Sequence, residues 1–229
     1  MNGSSTWWLL TSGPQPAPEN MAWDEALLLS ASRLGTPLLR FYAWTQPAAT
    51  FGYFQHYRDI EGMTVLRPLI RRPTGGGLVP HDADWTYSLI IPPTDPWYAL
   101  SAVESYRQMH HWICAAFQHL GATTELAPTC RRKTIGQCFV GAEKFDVIQG
   151  ERKIAGAAQR RTRDGLLIQG SIQPPPDINR RDYEPALLDQ ATKNWNVHWE
   201  ILEPDQALIT QMHKLCQEKY AQADYNTRR

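Results

Sequence analysis

The segment Arg71-Arg72-Pro73-Thr74-Gly75-Gly76-Gly77-Leu78-Val79-Pro80-His81-Asp82 runs a basic pair into three consecutive glycines and then into a His-Asp pair. Glycines in a row mark a tight loop. Without Cβ atoms their backbone N–H groups can converge on one carbonyl or phosphate oxygen, and the flanking arginines supply matching charge. The nucleotide P-loop is excluded, because Leu78 stands where that motif requires Lys and then Ser or Thr. Taken alone, the triplet is also what an ordinary turn looks like. Further along, Lys153-Ile154-Ala155-Gly156-Ala157-Ala158-Gln159 sets a lysine in front of small residues, where another group can approach the backbone closely.

A chain of 229 residues is long enough for one large α+β domain, and a single domain over 1–229 is expected. Lys plus Arg and Asp plus Glu both number 23, so no global field recruits nucleic acid or an anionic membrane, and substrate charge must be met locally. The N-terminus has no basic region leading into an apolar stretch of signal-peptide length, and no apolar run could span a bilayer. A soluble cytoplasmic protein is therefore expected. Cysteines at 114, 130, 138 and 216 form neither a Cys-x-x-Cys motif nor a regular framework, which fits reduced thiols and no metal site.

Trp7 to Leu10, Leu38 to Ala43 and Thr86 to Ile91 are rich in aromatic or β-branched residues and predict strands. A helix is expected from Asn20 to Leu34, with Asn20 as cap and Asp24 and Glu25 near its first turn. Ser101-Ala102-Val103-Glu104 is a capping box opening a helix that ends near Gly121. Phe145 to Ile148, the Lys153 segment and Leu166 to Ile168 read as antiparallel strands joined by turns at 149–152 and at Asp164-Gly165. After Pro174-Pro175-Pro176, residues 176–229 read as a helical extension, with one short helix near Tyr183 to Ala191 and a last amphipathic one carrying Leu208, Met212, Leu215, Cys216 and Tyr220.

The order of several segments carries a resemblance. Asn20-Met21-Ala22-Trp23-Asp24-Glu25, Leu39-Arg40-Phe41-Tyr42-Ala43-Trp44, Phe51-Gly52-Tyr53-Phe54-Gln55, the glycine loop with His81-Asp82 and the Lys153 segment follow one another as in the biotin/lipoyl protein ligase superfamily. The chain resembles it over about residues 5 to 175, and implies an α+β fold with mixed, largely antiparallel sheets and flanking helices. Within the superfamily the closest likeness is to octanoyltransferases of the cysteine-lysine type. Their motif places an acidic residue eight positions after a Cys-Phe cysteine and a lysine seven further on; Cys138-Phe139, Asp146 and Lys153 match it.

That resemblance implies an acyltransferase that moves an octanoyl group from acyl carrier protein through a thioester on Cys138 to a lysine of a lipoyl carrier domain. The carrier domain would be of the glycine cleavage H protein or dehydrogenase E2 type. No cofactor is implied. Cys138 and Lys153 would be catalytic, with Arg72, Thr74, Gly75, Gly76, Gly77, His81, Gly156 and Ala157 binding substrate. A thiolate attacks thioesters well and leaves well, and a nearby ammonium raises the thiolate fraction. His81 is the candidate for proton transfer, with Asp82 next in sequence but unable by that spacing alone to contact the same ring face.

An ATP- and magnesium-dependent lipoate ligase is the alternative, and a non-catalytic acyl- or carrier-binding subunit the third reading. Gly77 is the ligase-like choice where transferases usually carry arginine, and Gln169-Gly170 stands where both types commonly have His-Gly. The lack of an accessory domain typical of larger ligases favours the transferase. Blander roles stand beside these. Cys138 could be a small buried hydrophobe, Lys153 a surface strand residue, Arg71-Arg72 a solvated edge and His110-His111 a helical surface pair. Cys114 and Cys216 read as core, Cys130 as a loop thiol. Arg160, Arg161 and Arg163 read as a solvated turn or as a docking point for acidic carrier proteins.

Overall fold

The protein is represented by a computed structural model, which describes residues 5–130 and 141–228. Its strands are β1 (Ser5–Gln15), β2 (Leu38–Trp44), β3 (Ala48–Phe51), β4 (Leu69–Arg71), β5 (Val79–His81), β6 (Trp85–Ile91), β7 (Glu125–Leu126), β8 (Val147–Gln149), β9 (Arg152–Thr162), β10 (Gly165–Ile172) and β11 (Val197–Ile201). Eight of them form one mixed sheet in the order β11-β1-β2-β6-β10-β9-β8-β7, and β4-β3-β5 form a small second sheet. Strand β1 is parallel to both its neighbours, whereas the β2-β6-β10-β9-β8-β7 run is antiparallel.

Successive strand residues point to opposite faces, so a strand buried along its length serves two cores. Every residue of β10 is buried. Leu166, Ile168 and Ile172 enter one hydrophobic cluster and Leu167 the other, while in β6 Leu89 and Ile91 alternate with Ile90 in the same way. The helix Ala102–His119 covers the first face through Met109, Trp112, Ile113 and Phe117. The helix Ala17–Leu29 covers the second through Met21, Ala26, Leu27 and Leu28.

The Ser101 cap is present as expected, its Oγ accepting from the Glu104 N–H at 3.1 Å. The first helix departs from expectation. It starts at Ala17 after Pro16, with a further proline in its first turn, where a missing N–H leaves no helical bond unmade. Asn20 instead sits inside it, donating to the carbonyls of Gln15 and Ala43 at 3.3 and 2.8 Å. Asp24 and Glu25 are buried rather than solvated at a helix start. Asp24 Oδ1 accepts from Arg40 Nη1 at 2.7 Å, and Glu25 Oε2 from Lys219 Nζ at 2.6 Å and the Tyr220 hydroxyl at 2.8 Å. The helix also breaks at Ser30, and a separate turn, Ala31–Leu34, completes the span.

Residues 176–229 are helical at Arg180–Trp195, Gln206–Leu215 and Ala223–Thr227, yet they also supply β11, which adds itself to the sheet beside β1. Trp199 packs edge-on to Trp7 there, ring centroids 5.7 Å apart. The C-terminal turn captures Arg71, whose Nε donates to the Tyr225 carbonyl at 3.3 Å and whose Nη2 donates to the Asn226 carbonyl at 3.0 Å. Arg71 also donates from Nη1 to the Tyr53 and Gln55 carbonyls at 2.9 and 2.7 Å, so this fully buried guanidinium is a strut and not part of a solvated edge. Among the described residues, no helix is long and apolar enough to cross a membrane.

Candidate active site

The glycine loop leaves β4 and returns through β5, and it is locked to the turn after β3. Gly52 lies so close that a Cβ there would stand 1.9 Å from the Gly76 carbonyl oxygen, and the Tyr53 N–H donates to the Thr74 carbonyl at 2.8 Å. Gly76 has φ of 83°, a backbone conformation side chains disfavour, which explains a glycine at that position. Arg72, 4 % exposed, folds back over the loop, with Nε and Nη2 donating to the Gly75 carbonyl at 3.1 and 2.5 Å and Nη1 to Thr50 Oγ1 at 3.3 Å.

Thr74 is held from beneath. Its hydroxyl donates to Gln169 Oε1 at 2.7 Å, and the Gln169 amide donates to Asp24 Oδ2 at 2.7 Å, next to the Asp24–Arg40 pair. The position that commonly carries histidine in the superfamily thus carries an amide that accepts on one side and donates on the other. An imidazole would have to match both partners with a single tautomer. This buried chain ties the loop to the first helix, β2 and β10.

Across the cleft, Lys153 Nζ lies 2.7 Å from Asp146 Oδ2. Lys153 is 9 % exposed, Asp146 fully buried. The Tyr106 hydroxyl hydrogen-bonds to Asp146 Oδ1, and the Glu143 N–H donates to Oδ2 at 2.6 Å. Burial pushes the Asp146 carboxyl above the usual aspartate range, with Lys153 and the hydrogen bonds pulling the other way. Beside this group His110 packs edge-on against Tyr106, centroids 4.1 Å apart. It is fully buried rather than one of a surface pair; only His111 is exposed. Burial, reinforced by the nearby Lys153 charge, pushes its pKa down to about 3, so the ring is neutral at neutral pH.

Gly156 is required by this arrangement. A Cβ there would stand 2.5 Å from Lys153 Cε and 2.6 Å from Nζ, and 3.1 Å from Asp146 Oδ1. The end of a lysine can move, so we expect Gly156→Ala to fold and to displace the ammonium. Turnover should fall by about 10- to 100-fold, roughly 1.4 to 2.8 kcal/mol of barrier, with a smaller drop in melting temperature than Lys153→Ala gives. Steady-state rates and thermal melts of the two variants check this.

Between the loop and β9–β10 a narrow cleft is lined by Met21, Val79, Ala157 and Ala158 on its apolar side and by Thr50, Arg72, His81, Lys153 and Gln169 on its polar side. That is the character of a small-molecule pocket: apolar walls for an aliphatic group and a few converging polar atoms for its reactive end. Of the residues expected at the site, Arg72, His81, Lys153, Gly156 and Ala157 line it together. Thr74, Gly75, Gly76 and Gly77 are not among its lining residues and shape it through Arg72 and Gln169. Cys138 lies outside the described residues. Asp82 is exposed and is not among the residues lining this cleft. The carboxylate that meets His81 is Asp84, which sequence reading missed, although its place three residues on, past the end of β5, was a usable signal. Thr50, Tyr106 and Asp24 were missed as well.

Comparison with known proteins adds to this geometry. The sequence model of the lipoyl protein ligase A/B catalytic domain matches residues 16–200. The chain belongs to that family. Among curated proteins, the octanoyltransferase LipM of Symbiobacterium thermophilum is 36% identical over 181 residues, spanning 73% of this chain and 65% of that protein. The LipM of Staphylococcus aureus is 34% identical over 189 residues, spanning 77% of this chain and 68% of its own. The LipM of Bacillus subtilis is 27% identical, with 98% of this chain and 99% of that one covered. The chain thus spans about two thirds of the first two relatives and nearly all of the third. Among solved structures, a lipoate-protein ligase A bound with ATP superposes with a TM-score of 0.77 over 98% of this chain and 99% of its own, at 20% identity. The bipartite lipoate protein ligase of Thermoplasma acidophilum gives 0.72 over 98% and 96%, also at 20% identity. Both share the catalytic fold of the lipoyl ligase family, α+β with a large mixed sheet and flanking helices.

Proposed function

We propose that this family member is an octanoyltransferase acting in protein lipoylation, and that residues 1–229 work as one catalytic unit. The octanoyl group would come from acyl carrier protein, reside on Cys138 as a thioester, and pass to a lysine of a lipoyl carrier domain. The observation that carries this reading is the Lys153–Asp146 pair, buried at the wall of an apolar cleft and standing at the spacing from Cys138 that cysteine-lysine transferases share. The curated LipM relatives support it by name.

Each part of the site then has a task. The apolar side of the cleft takes the acyl chain, and Gly156 and Ala157 let it lie against the β9 backbone. Attack by Cys138 on the donor thioester forms one C–S bond and breaks another, releasing the carrier thiolate. Lys153, held by Asp146, which Tyr106 in turn holds, gives a hydrogen bond to the oxygen on which charge develops, and its orientation is fixed before reaction, so no reorganisation is needed. Arg72 and Thr74 keep the glycine loop in shape on the opposite side. Attack by the acceptor lysine on the acyl-cysteine then yields the amide and returns the thiol. No cofactor is called for, since the donor thioester already stores the energy of transfer.

An ATP-dependent lipoate ligase remains the second reading because Gly77 is the ligase-like residue in the loop. The two part on what is consumed. We expect transfer from octanoyl-acyl carrier protein in excess chelator and no pyrophosphate release from free octanoate plus ATP and magnesium. Robust pyrophosphate release with the free acid, undiminished in Cys138→Ala, would establish the ligase instead.

A further inference from the structure

The cleft has two ends, and the register of β9 with β10 fixes which is which. Gly156 pairs with Ser171, and Ala158 pairs with Gln169 two residues further along. The Lys153 ammonium lies over Gly156, since a Cβ there would meet Nζ at 2.6 Å. Gln169 therefore stands roughly 7 Å along the sheet from that point at the usual strand rise. Met21 comes down on it from the first helix, with Sδ 3.5 Å from Gln169 Nε2, and both residues line the cleft. The reactive end of an acyl group belongs with the ammonium, which leaves its hydrocarbon end against Met21 and Gln169.

The two residues differ in what they can yield. Gln169 is tethered at both amide atoms, accepting from Thr74 and donating to Asp24, each at 2.7 Å. Behind it Asp24 Oδ1 accepts from Arg40 and Ser88 at 2.7 and 2.8 Å, and Oδ2 from the Tyr42 hydroxyl at 3.2 Å. Swinging the amide away would leave this buried carboxylate short of a donor, so Gln169 is a fixed backstop. Met21 has three rotatable bonds and is held only by the weak amide–thioether contact. Of the other apolar side chains on the cleft wall, Val79 is stiff at χ1, and Ala157 and Ala158 have nothing to rotate. A group entering this narrow cleft displaces Met21 first.

We propose that Met21, braced by Gln169, determines acyl-chain length: it closes the hydrocarbon end of the cleft and sets the longest linear acyl group admitted. This rests on the reading that the cleft takes the acyl group, which the transferase and the ligase share. A chain that stops at the thioether gains apolar burial with each methylene up to that point. A longer one must drive Met21, 1 % exposed, further into the packed cluster to which it belongs, and overpacking a filled core is unfavourable. Preference should therefore peak at medium length, with octanoyl used better than hexanoyl on one side and decanoyl on the other.

The test is kcat/KM for transfer to a lipoyl domain from hexanoyl-, octanoyl- and decanoyl-acyl carrier protein. Ratios between donors are internal to each preparation, so a partly unfolded variant still reports on the wall. A buried methylene is worth about fourfold in an equilibrium or rate, and decanoyl carries two more than octanoyl. Met21→Ala should thus raise the decanoyl-to-octanoyl ratio about tenfold, and the bulkier Met21→Phe should lower the octanoyl-to-hexanoyl ratio. Gln169→Ala, which removes the backstop, should also favour decanoyl, by less. Ile90→Val, in the same core cluster but not among the residues lining the cleft, should leave both ratios unchanged. An unchanged decanoyl-to-octanoyl ratio in Met21→Ala, or an equal shift in Ile90→Val, would overturn the proposal. A wild-type protein inert toward every carrier-bound donor would instead remove the transferase reading, and the same ratios, measured with the free acids and ATP, would then decide the role of Met21.

Discussion

Cys138→Ala should abolish acyl transfer to the carrier lysine, whereas Cys114→Ala, Cys130→Ala and Cys216→Ala should each retain it. The three described thiols are unsuited to the task for physical reasons. Cys114 is 5 % exposed on the Ala102–His119 helix beside Thr124, and burial pushes its thiol up, which lowers the thiolate fraction. Burial also raises Cys216, packed against the second core. Cys130 is exposed and belongs to no strand or helix. None of the three lines the cleft that holds Lys153. Rates of octanoyl transfer for the four single variants decide the matter, and full activity in Cys138→Ala would remove the covalent route.

Lys153→Ala should lose about 100- to 1,000-fold in rate, the usual consequence of removing one positioned oxyanion donor. Read from sequence, a strand lysine on a surface would leave stability untouched. Its partner changes that expectation, because Asp146 is fully buried and breaking a buried ion pair costs about 3 to 5 kcal/mol. The variant should therefore melt lower as well as turn over slowly. The deficit should shrink in acid. An aspartate whose folded-state pKa lies above its unfolded value binds its proton more tightly when folded, so stability is greatest below the unfolded pKa and is lost as pH rises through the folded one. Without the lysine that shift grows, while Tyr106 and the Glu143 N–H remain and His110 stays neutral. Adding Asp146→Asn should recover melting temperature at neutral pH and leave the rate low; recovery of both would assign Lys153 a purely structural role.

Local signals carried much of the fold. The Ser101 capping box, the β9–β10 hairpin and the strand character of β6 and β10 are written in neighbouring residues and were legible. The misreadings have a common origin in long-range partners. Phe145, read as the start of a strand, adopts φ of 72° in a turn that lets the Asp146 N–H and carboxylate bond within the loop. Asp24 looked like a helix-start charge because its partner Arg40 comes from β2 and Gln169 from β10. His110 falls at helical spacing with Tyr106, Ile113 and Phe117, and its reading as half of a surface pair with His111 set that spacing aside; the Lys153 charge beside it comes from another element. The parallel pairing of β11 with β1 joins opposite ends of the chain, and no periodicity in either segment encodes the other. At the site, residue types and spacings exposed Lys153, Arg72 and His81. That Asp84 and Thr50 meet the two ring nitrogens of His81 required the turn after β5 and the pairing of β3 with β5.

The account's central claim is a covalent acyl-enzyme on one named cysteine, Cys138. It is tested most directly by intact mass after incubation with octanoyl-acyl carrier protein in chelator and without ATP. The account predicts a gain of one octanoyl group on the wild-type protein, mapped by peptide analysis to Cys138, released on adding a lipoyl domain and not formed by Cys138→Ala. An unmodified enzyme that still octanoylates the lipoyl domain, or an adduct on Cys114, Cys130 or Cys216 that is transferred as fast, would contradict it.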